Sequence, residues 1–192
     1  QPEQSSIHLK FAGFLRHVRQ NDARADHHYI QAIETNPNNV DALGTYASYL
    51  HGIGDKASLE KAAKLYEESF RIDACHPNNC CNYGLFLSEV QGDYKRAREL
   101  YEAALSVSSD HANTLYNYGV MLDSHLNDKS GAEAMYRRAI ESSPHHPFAL
   151  YNLAVIIEDY FVNAILPDAS QESTDHAEAW RLSAEERQAE AV

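Results

Sequence analysis

An all-α solenoid is the fold the sequence predicts: a right-handed superhelix of antiparallel helix pairs, about four and a half repeats long. Three observations predict it. Asn82-Tyr83-Gly84, Asn117-Tyr118-Gly119 and Asn152-Leu153-Ala154 recur every 35 residues, and a fixed period of this size marks a repeat array. Ala25, Ala62, Ala97 and Ala132 form a second column. Each is followed four residues later by a tyrosine (Tyr29, Tyr66, Tyr101, Tyr136) and three further on by a small residue (Ala32, Ser69, Ala104, Ala139). Within a copy the matching residues recur at three and four positions, which is one face of an α-helix. Small residues on that face let two helix axes approach, while Tyr and Leu fill the space around them.

The elements follow in order. First helices are predicted near 5–19, 40–51, 77–90, 112–125 and 147–162. Each carries a small residue (Ala12, Ala47, Gly84, Gly119, Ala154) and a large apolar one three positions on (Leu15, Leu50, Leu87, Leu122, Ile157). Second helices are predicted near 22–35, 57–73, 93–107 and 129–142, on the Ala–Tyr–small columns. Pro37, Pro144 and Pro147 interrupt helices between copies, and Gly92-Asp93 separates the third pair with Asp93 as its candidate N-cap. From each second-helix tyrosine to the next first-helix aromatic the spacing is a constant 17 residues: 29 to 46, 66 to 83, 101 to 118. Length variation is therefore expected in the turn inside a copy, where His51-Gly52-Ile53-Gly54-Asp55 carries two extra residues. Residues 1–162 are read as the solenoid and 163–192 as an acidic tail.

These columns resemble the tetratricopeptide repeat, through the small Ala/Gly positions, the Tyr after each second-helix Ala, and the closing Pro37 and Pro144. The resemblance covers roughly residues 7–160. Copies two and three depart from it, with Ala74 and Ser109 where a closing proline is expected. The period also overlaps that of the pentatricopeptide family, whose repeats read RNA one base at a time. The acidic charge and the Ala/Gly columns argue against that relative.

Charge narrows the partners. Among 192 residues there are 16 Lys and Arg against 28 Asp and Glu, a formal charge of −12. Neutralising a phosphate backbone needs clustered cations, so nucleic acid is excluded, and anionic membrane surfaces are disfavoured on the same ground. No apolar run approaches the ~20 residues of a membrane helix, so no membrane insertion is expected. The deficit is concentrated at the end: residues 147–192 sum to −7, with Arg181 and Arg187 the only cations after Arg138. Three cysteines (Cys75, Cys80, Cys81), odd in number and close together, read as reduced thiols in an intracellular compartment, cytoplasmic or organellar. The first residue is Gln1, so the chain is expected to be a processed product or a piece, and a targeting segment would not be visible.

No catalytic or metal site is expected, and no cofactor. His76, His111 and His146 occupy one structural place in three copies, which makes them turn caps or solvated side chains rather than ligands converging on one ion. Cys75-His76…Cys80-Cys81 is the better metal candidate, but Cys80 falls in the column of Leu43, Leu115 and Leu150 and reads as core. Phosphate loops, nucleophile elbows and His-Glu-x-x-His are absent from the sequence. Adjacent acids such as Glu67-Glu68 read as solvated.

What remains is surface. The resemblance implies that the first helix of each pair lines a concave groove for extended peptides. Carried over to this chain, the groove candidates are Asn82, Asn117 and Asn152, with Tyr116, Tyr151, Glu89, Asp123, Glu158 and Asp159 beside them. An Asn amide offers one donor group and one acceptor, which matches a peptide unit whatever the partner's side chain. The same asparagines could instead bond the adjacent repeat and shape the superhelix. After Arg16 the groove columns carry no Lys or Arg, so an acidic tail peptide would be repelled. The leading expectation is a non-enzymatic adaptor or scaffold that binds a neutral or basic peptide segment. The alternative is a structural subunit of a larger complex, docked through its outer faces. For the tail there are likewise two readings: a terminal capping helix over 175–190 anchored by Trp180, with Asp175-x-x-Glu178 as a capping box, or a solubilising tail.

Overall fold

The structure is a computed structural model that describes residues 2–165, with side chains through Val162. The expected tail and its capping helix over 175–190 lie outside the described residues. Among those described there are no strands. The helices run α1 (Pro2–His17), α2 (Asp22–Thr35), α3 (Val40–Ile53), α4 (Lys56–Ile72), α5 (Pro77–Phe86), α6 (Tyr94–Val107), α7 (Ala112–Ser124), α8 (Lys129–Ser142) and α9 (Pro147–Ile165). A single π turn, Leu87–Gln91, carries α5 onward. Each odd-numbered helix up to α7 packs against the even one that follows it, and α9 packs against α8. This is the predicted all-α repeat of helix pairs.

Side-chain chemistry sets the boundaries. Every second helix opens on an Asn or Asp cap whose side chain accepts from a backbone N–H: Asn21, Asp55, Asp93 and Asp128. The residue before each cap takes the left-handed conformation: Gln20 (φ 49°), Gly54 (φ 78°), Gly92 (φ 65°) and Asn127 (φ 52°). A glycine adopts that geometry without Cβ strain, so two of the four joints are unstrained and two are not. Length variation does fall in the second pair, but not as a longer loop. Asp55 stands seven residues before Ala62, where Asn21, Asp93 and Asp128 stand four before Ala25, Ala97 and Ala132. The added residues lengthen the start of α4, which runs 17 residues against 14 in α2, α6 and α8, and each closes another backbone hydrogen bond.

The core is the predicted set of columns. Ala12, Ala25, Ala32, Ala47, Ala62, Ala97, Ala104, Ala132 and Ala139 are fully buried, as are Tyr29, Tyr66, Tyr101 and Tyr136. At Gly84 an added Cβ would lie 2.7 Å from the Tyr101 ring, and at Gly119 2.6 Å from Tyr136. The small column exists because the tyrosine of the same pair occupies that space. The first three of those tyrosines also stack on the next pair's first helix. The centroid separations are 5.4 Å for Tyr29–Tyr46, 5.3 Å for Tyr66–Tyr83 and 5.5 Å for Tyr101–Tyr118. The constant spacing of 17 in the sequence is this stack.

The seam between the second and third pairs also buries a side-chain amide. Asn79 is buried, donating to Val40 O at 2.8 Å and to Ser69 Oγ at 2.6 Å. It fits because position 44 is glycine: a Cβ there would sit 2.0 Å from the Asn79 Oδ1. Other copies place Ile7, Ala42, Thr114 and Ala149 at the Asn79 position, and Ala32, Ala104 and Ala139 at that of Ser69. Three departures from three columns thus make one hydrogen-bonded joint.

Candidate functional site

The asparagine row runs along the first helices, Asn82 in α5, Asn117 in α7 and Asn152 in α9, all half-buried. Their bonding differs. Asn152 Nδ2 donates to Tyr136 Oη at 3.2 Å. Asn117 Nδ2 donates to Cys81 Sγ at 3.4 Å, and a sulfur is a weak acceptor. Asn82 has no side-chain hydrogen bond among the described residues. Tyr66 and Tyr101 stand to Asn82 and Asn117 in the chain as Tyr136 stands to Asn152. Their hydroxyls are buried without a partner at hydrogen-bonding geometry, although Ser48 and Ser88 lie near enough to influence them. Burial holds both phenols far above the usual tyrosine range. Sequence reasoning found the asparagines but not these hydroxyls, because a core tyrosine column does not show where the phenol ends.

The other site candidates separate. Glu89 is exposed and pairs with His51 Nε2 at 3.6 Å, and His51 packs edge-on against Phe86. Asp123 is half-buried and Glu158 exposed. Asp159 is paired with Lys129 of α8, so it is tied to the helix pair. Tyr116 lies against Tyr136, His146 and Phe148 at the junction of α7 and α9. Tyr151 is 67% exposed on the last first helix. In earlier copies the matching residues meet the following first helix, Gly44 beneath Asn79 and Cys81 beneath Asn117. Tyr116 and Tyr151 therefore belong to the column between pairs, and only Tyr151 lacks a described neighbour there.

The histidines cap. His111 Nδ1 faces the Thr114 amide at 3.3 Å and the Thr114 hydroxyl at 2.7 Å, and His146 Nδ1 accepts from Ala149 N at 3.2 Å. His76 makes no cap bond and pairs with Asp41 at 3.2 Å instead. Burial lowers the His111 pKa, favouring the neutral ring that can accept. Cys80 and Cys81 are core residues. Burial pushes the Cys80 thiol up to about 12 and raises that of Cys81, so neither is a ready thiolate. Among the described residues no three His, Cys, Asp or Glu side chains are grouped to hold a metal.

Glu67 is exposed, as expected, and it also accepts from Tyr83 Oη at 2.6 Å and pairs with Arg96 at 2.8 Å. Those bonds, the tyrosine's first, hold its carboxyl below the usual range. Arg96 lies over the Tyr83 ring, 5.1 Å being the matching distance for Arg16 over Tyr49 and 5.2 Å its own. Within the described residues no helix is long and apolar enough to cross a membrane.

Comparison with known proteins agrees with this geometry. No curated protein matches the sequence. Solved structures do. MamA protein is 17% identical with a TM-score of 0.62, over 90% of this chain and 97% of that one. The pilF protein of Pseudomonas aeruginosa is 18% identical with a TM-score of 0.72, over 84% and 71%. PilW, a widely conserved type IV pilus biogenesis factor, is 21% identical with a TM-score of 0.70, over 79% and 68%. Identities this low speak to fold and not to function. Residues 89–147 match the family model described as Tetratricopeptide repeat. That stretch spans the third and fourth copies of columns that recur from Ala12 to Ile157; over it the chain is similar to the tetratricopeptide repeat, and its fold is that of these solved all-α repeat structures.

Proposed function

We propose that the chain is a non-enzymatic protein-interaction module whose first-helix face holds an extended, neutral or basic peptide. The observation that carries this reading is the unequal bonding of the asparagine row. Asn82 has no internal partner and Asn117 has only a sulfur. Either amide can turn to a peptide unit at little cost, whereas Asn152 would first have to leave Tyr136. Asn82 and Asn117 are thus the working rungs and Asn152 a strut. Glu89, Asp123 and Glu158 set the sign of the partner.

Titration calorimetry with peptide pools of contrasting charge tests this. Neutral and basic peptides are expected to bind, with affinity falling as salt rises. Two backbone bonds at about 1 kcal/mol each predict a loss of about thirtyfold in Asn82→Ala/Asn117→Ala, and less in Asn152→Ala. Tight binding of Asp/Glu-rich peptides, indifferent to salt and to both substitutions, would overturn the groove reading. Docking through outer faces is favoured by one feature, the cleft between α4 and α6 lined by Lys64, Glu67, Arg71 and Arg96. Arg71→Glu would weaken a complex held there and leave peptide binding unchanged.

A further inference from the structure

The columns that are buried in the complete pairs are open in α9. Leu15, Leu50, Leu87 and Leu122 are at most 5% exposed, whereas Ile157 at the same place is 45% exposed. Ala12, Ala47, Gly84 and Gly119 are buried, whereas Ala154 is exposed. In α1, α3, α5 and α7 the second helix of the same pair covers these residues, its tyrosine filling the space over the small one. The uncovered side of α9 therefore has the shape of a second helix, not of a generic apolar patch.

We propose that the occupant is this chain's own segment 173–188, packed on α9 as the second helix of a fifth pair. Its sequence carries the second-helix pattern. Ala177-Glu178-Ala179 repeats Ala132-Glu133-Ala134 of α8, and Ala184 follows Ala177 by seven residues as Ala139 follows Ala132. Ser173 stands four residues before Ala177, where Asn21, Asp93 and Asp128 stand before Ala25, Ala97 and Ala132, and serine is a strong N-cap. Trp180 falls where α4, α6 and α8 place Leu65, Leu100 and Met135. One position departs: Arg181 replaces the tyrosine, so the aromatic mass over Ala154 comes from Trp180, one residue earlier. The segment has the length, since the second helices run 14 to 17 residues. A connection through Pro167, longer than the interior turns, adds only a small closure cost. The assignment stands independently of the groove reading, since it concerns the opposite, pair-closing side of α9.

Trp180 is the only tryptophan, so its fluorescence in the full chain reports on this segment. Emission blue-shifted from that of the urea-unfolded chain is expected in the native protein. Ile157→Asp should move it to the unfolded position while the far-ultraviolet melt of the rest persists. In Trp180→Ala, amide exchange in α9 should quicken about tenfold or more. Native emission already at the unfolded position overturns the proposal, as does a blue shift that ignores Ile157→Asp. A second copy is the rival occupant, because α1 exposes Ile7, Phe11 and Phe14, and the turn after it Val18, at the other end. Sedimentation showing a dimer, with a blue shift that vanishes on dilution, would assign the face to that copy and overturn the intrachain pairing.

Discussion

Contacts within a pair and contacts between pairs are built from different physics. Inside a pair the fit is steric: a small residue on the first helix meets a tyrosine ring on the second, and the space for one methyl decides whether they close. Between the second and third pairs the fit is polar, with Asn79 bonding Val40 O and Ser69 Oγ over Gly44. The steric contact recurs with the period and survives many sequences. Tyrosine–carboxylate bonds also recur between pairs, but the buried amide joint occurs once among the described residues and needs three residues at once. A repeat protein can therefore be regular in its pairs and individual in its seams.

The largest expected effect breaks the steric side. Gly119→Leu drives a side chain into Tyr136, which already lies 2.6 Å from a bare Cβ, and should cost about 3 kcal/mol, read as a lowered urea midpoint. Breaking the polar side is expected to cost less. Asn79→Ala removes both of its bonds and leaves Ser69 Oγ without its donor, and should cost about 2 kcal/mol. The comparison sharpens in a double-mutant cycle. Gly44→Ala should be severe alone and mild beside Asn79→Ala, and strict additivity of the two would show that the trio is not a unit. Asp93→Ala removes a cap common to every pair and should cost about 1 kcal/mol by the same measurement.

The smallest effect concerns pH. Burial lowers the pKa of His28, His51 and His111 below the ordinary 6.5. In that window the unfolded chain binds more protons than the native one. Their contribution to stability is therefore complete above about pH 6.5 and is lost as pH falls through the native values. Melting temperature should fall modestly from pH 7 to 5, and less so in His111→Asn, which keeps a capping acceptor but does not titrate. An unchanged slope in that variant would remove His111 from the account.

Most of the pair architecture was readable because it repeats. Ala97, Tyr101 and Ala104 were placed by their counterparts before any contact was known, and the 17-residue spacing held a stacking geometry that a sequence shows only as a number. The Asn79–Gly44–Ser69 joint could not be read that way. Each member is a single exception to its own column, and periodicity carries no information linking one exception to another. The caps Asn21, Asp55 and Asp128 were within reach, since they align with Asp93 once helix starts are compared. Of the site, the asparagine row was visible as a column. Which rung is already bonded depends on whether Tyr136, Cys81 or nothing lies within reach, a matter of ångströms rather than spacing. Tyr151 was read as a groove residue from its place beside Asn152, and its surroundings depend on whether another first helix follows.

The left-handed residue before each second-helix cap has one more consequence. Gln20, Gly54, Gly92 and Asn127 hold one backbone geometry at the same joint, although the first helices leading to them differ in length and one ends in a π turn. The extra residues of the second pair are taken up just past the joint by winding more of α4, and the backbone geometry at the joint itself is kept. The chain can gain or lose residues there over generations without resetting the path of everything downstream, much as a spiral staircase keeps its pitch when one tread is made deeper.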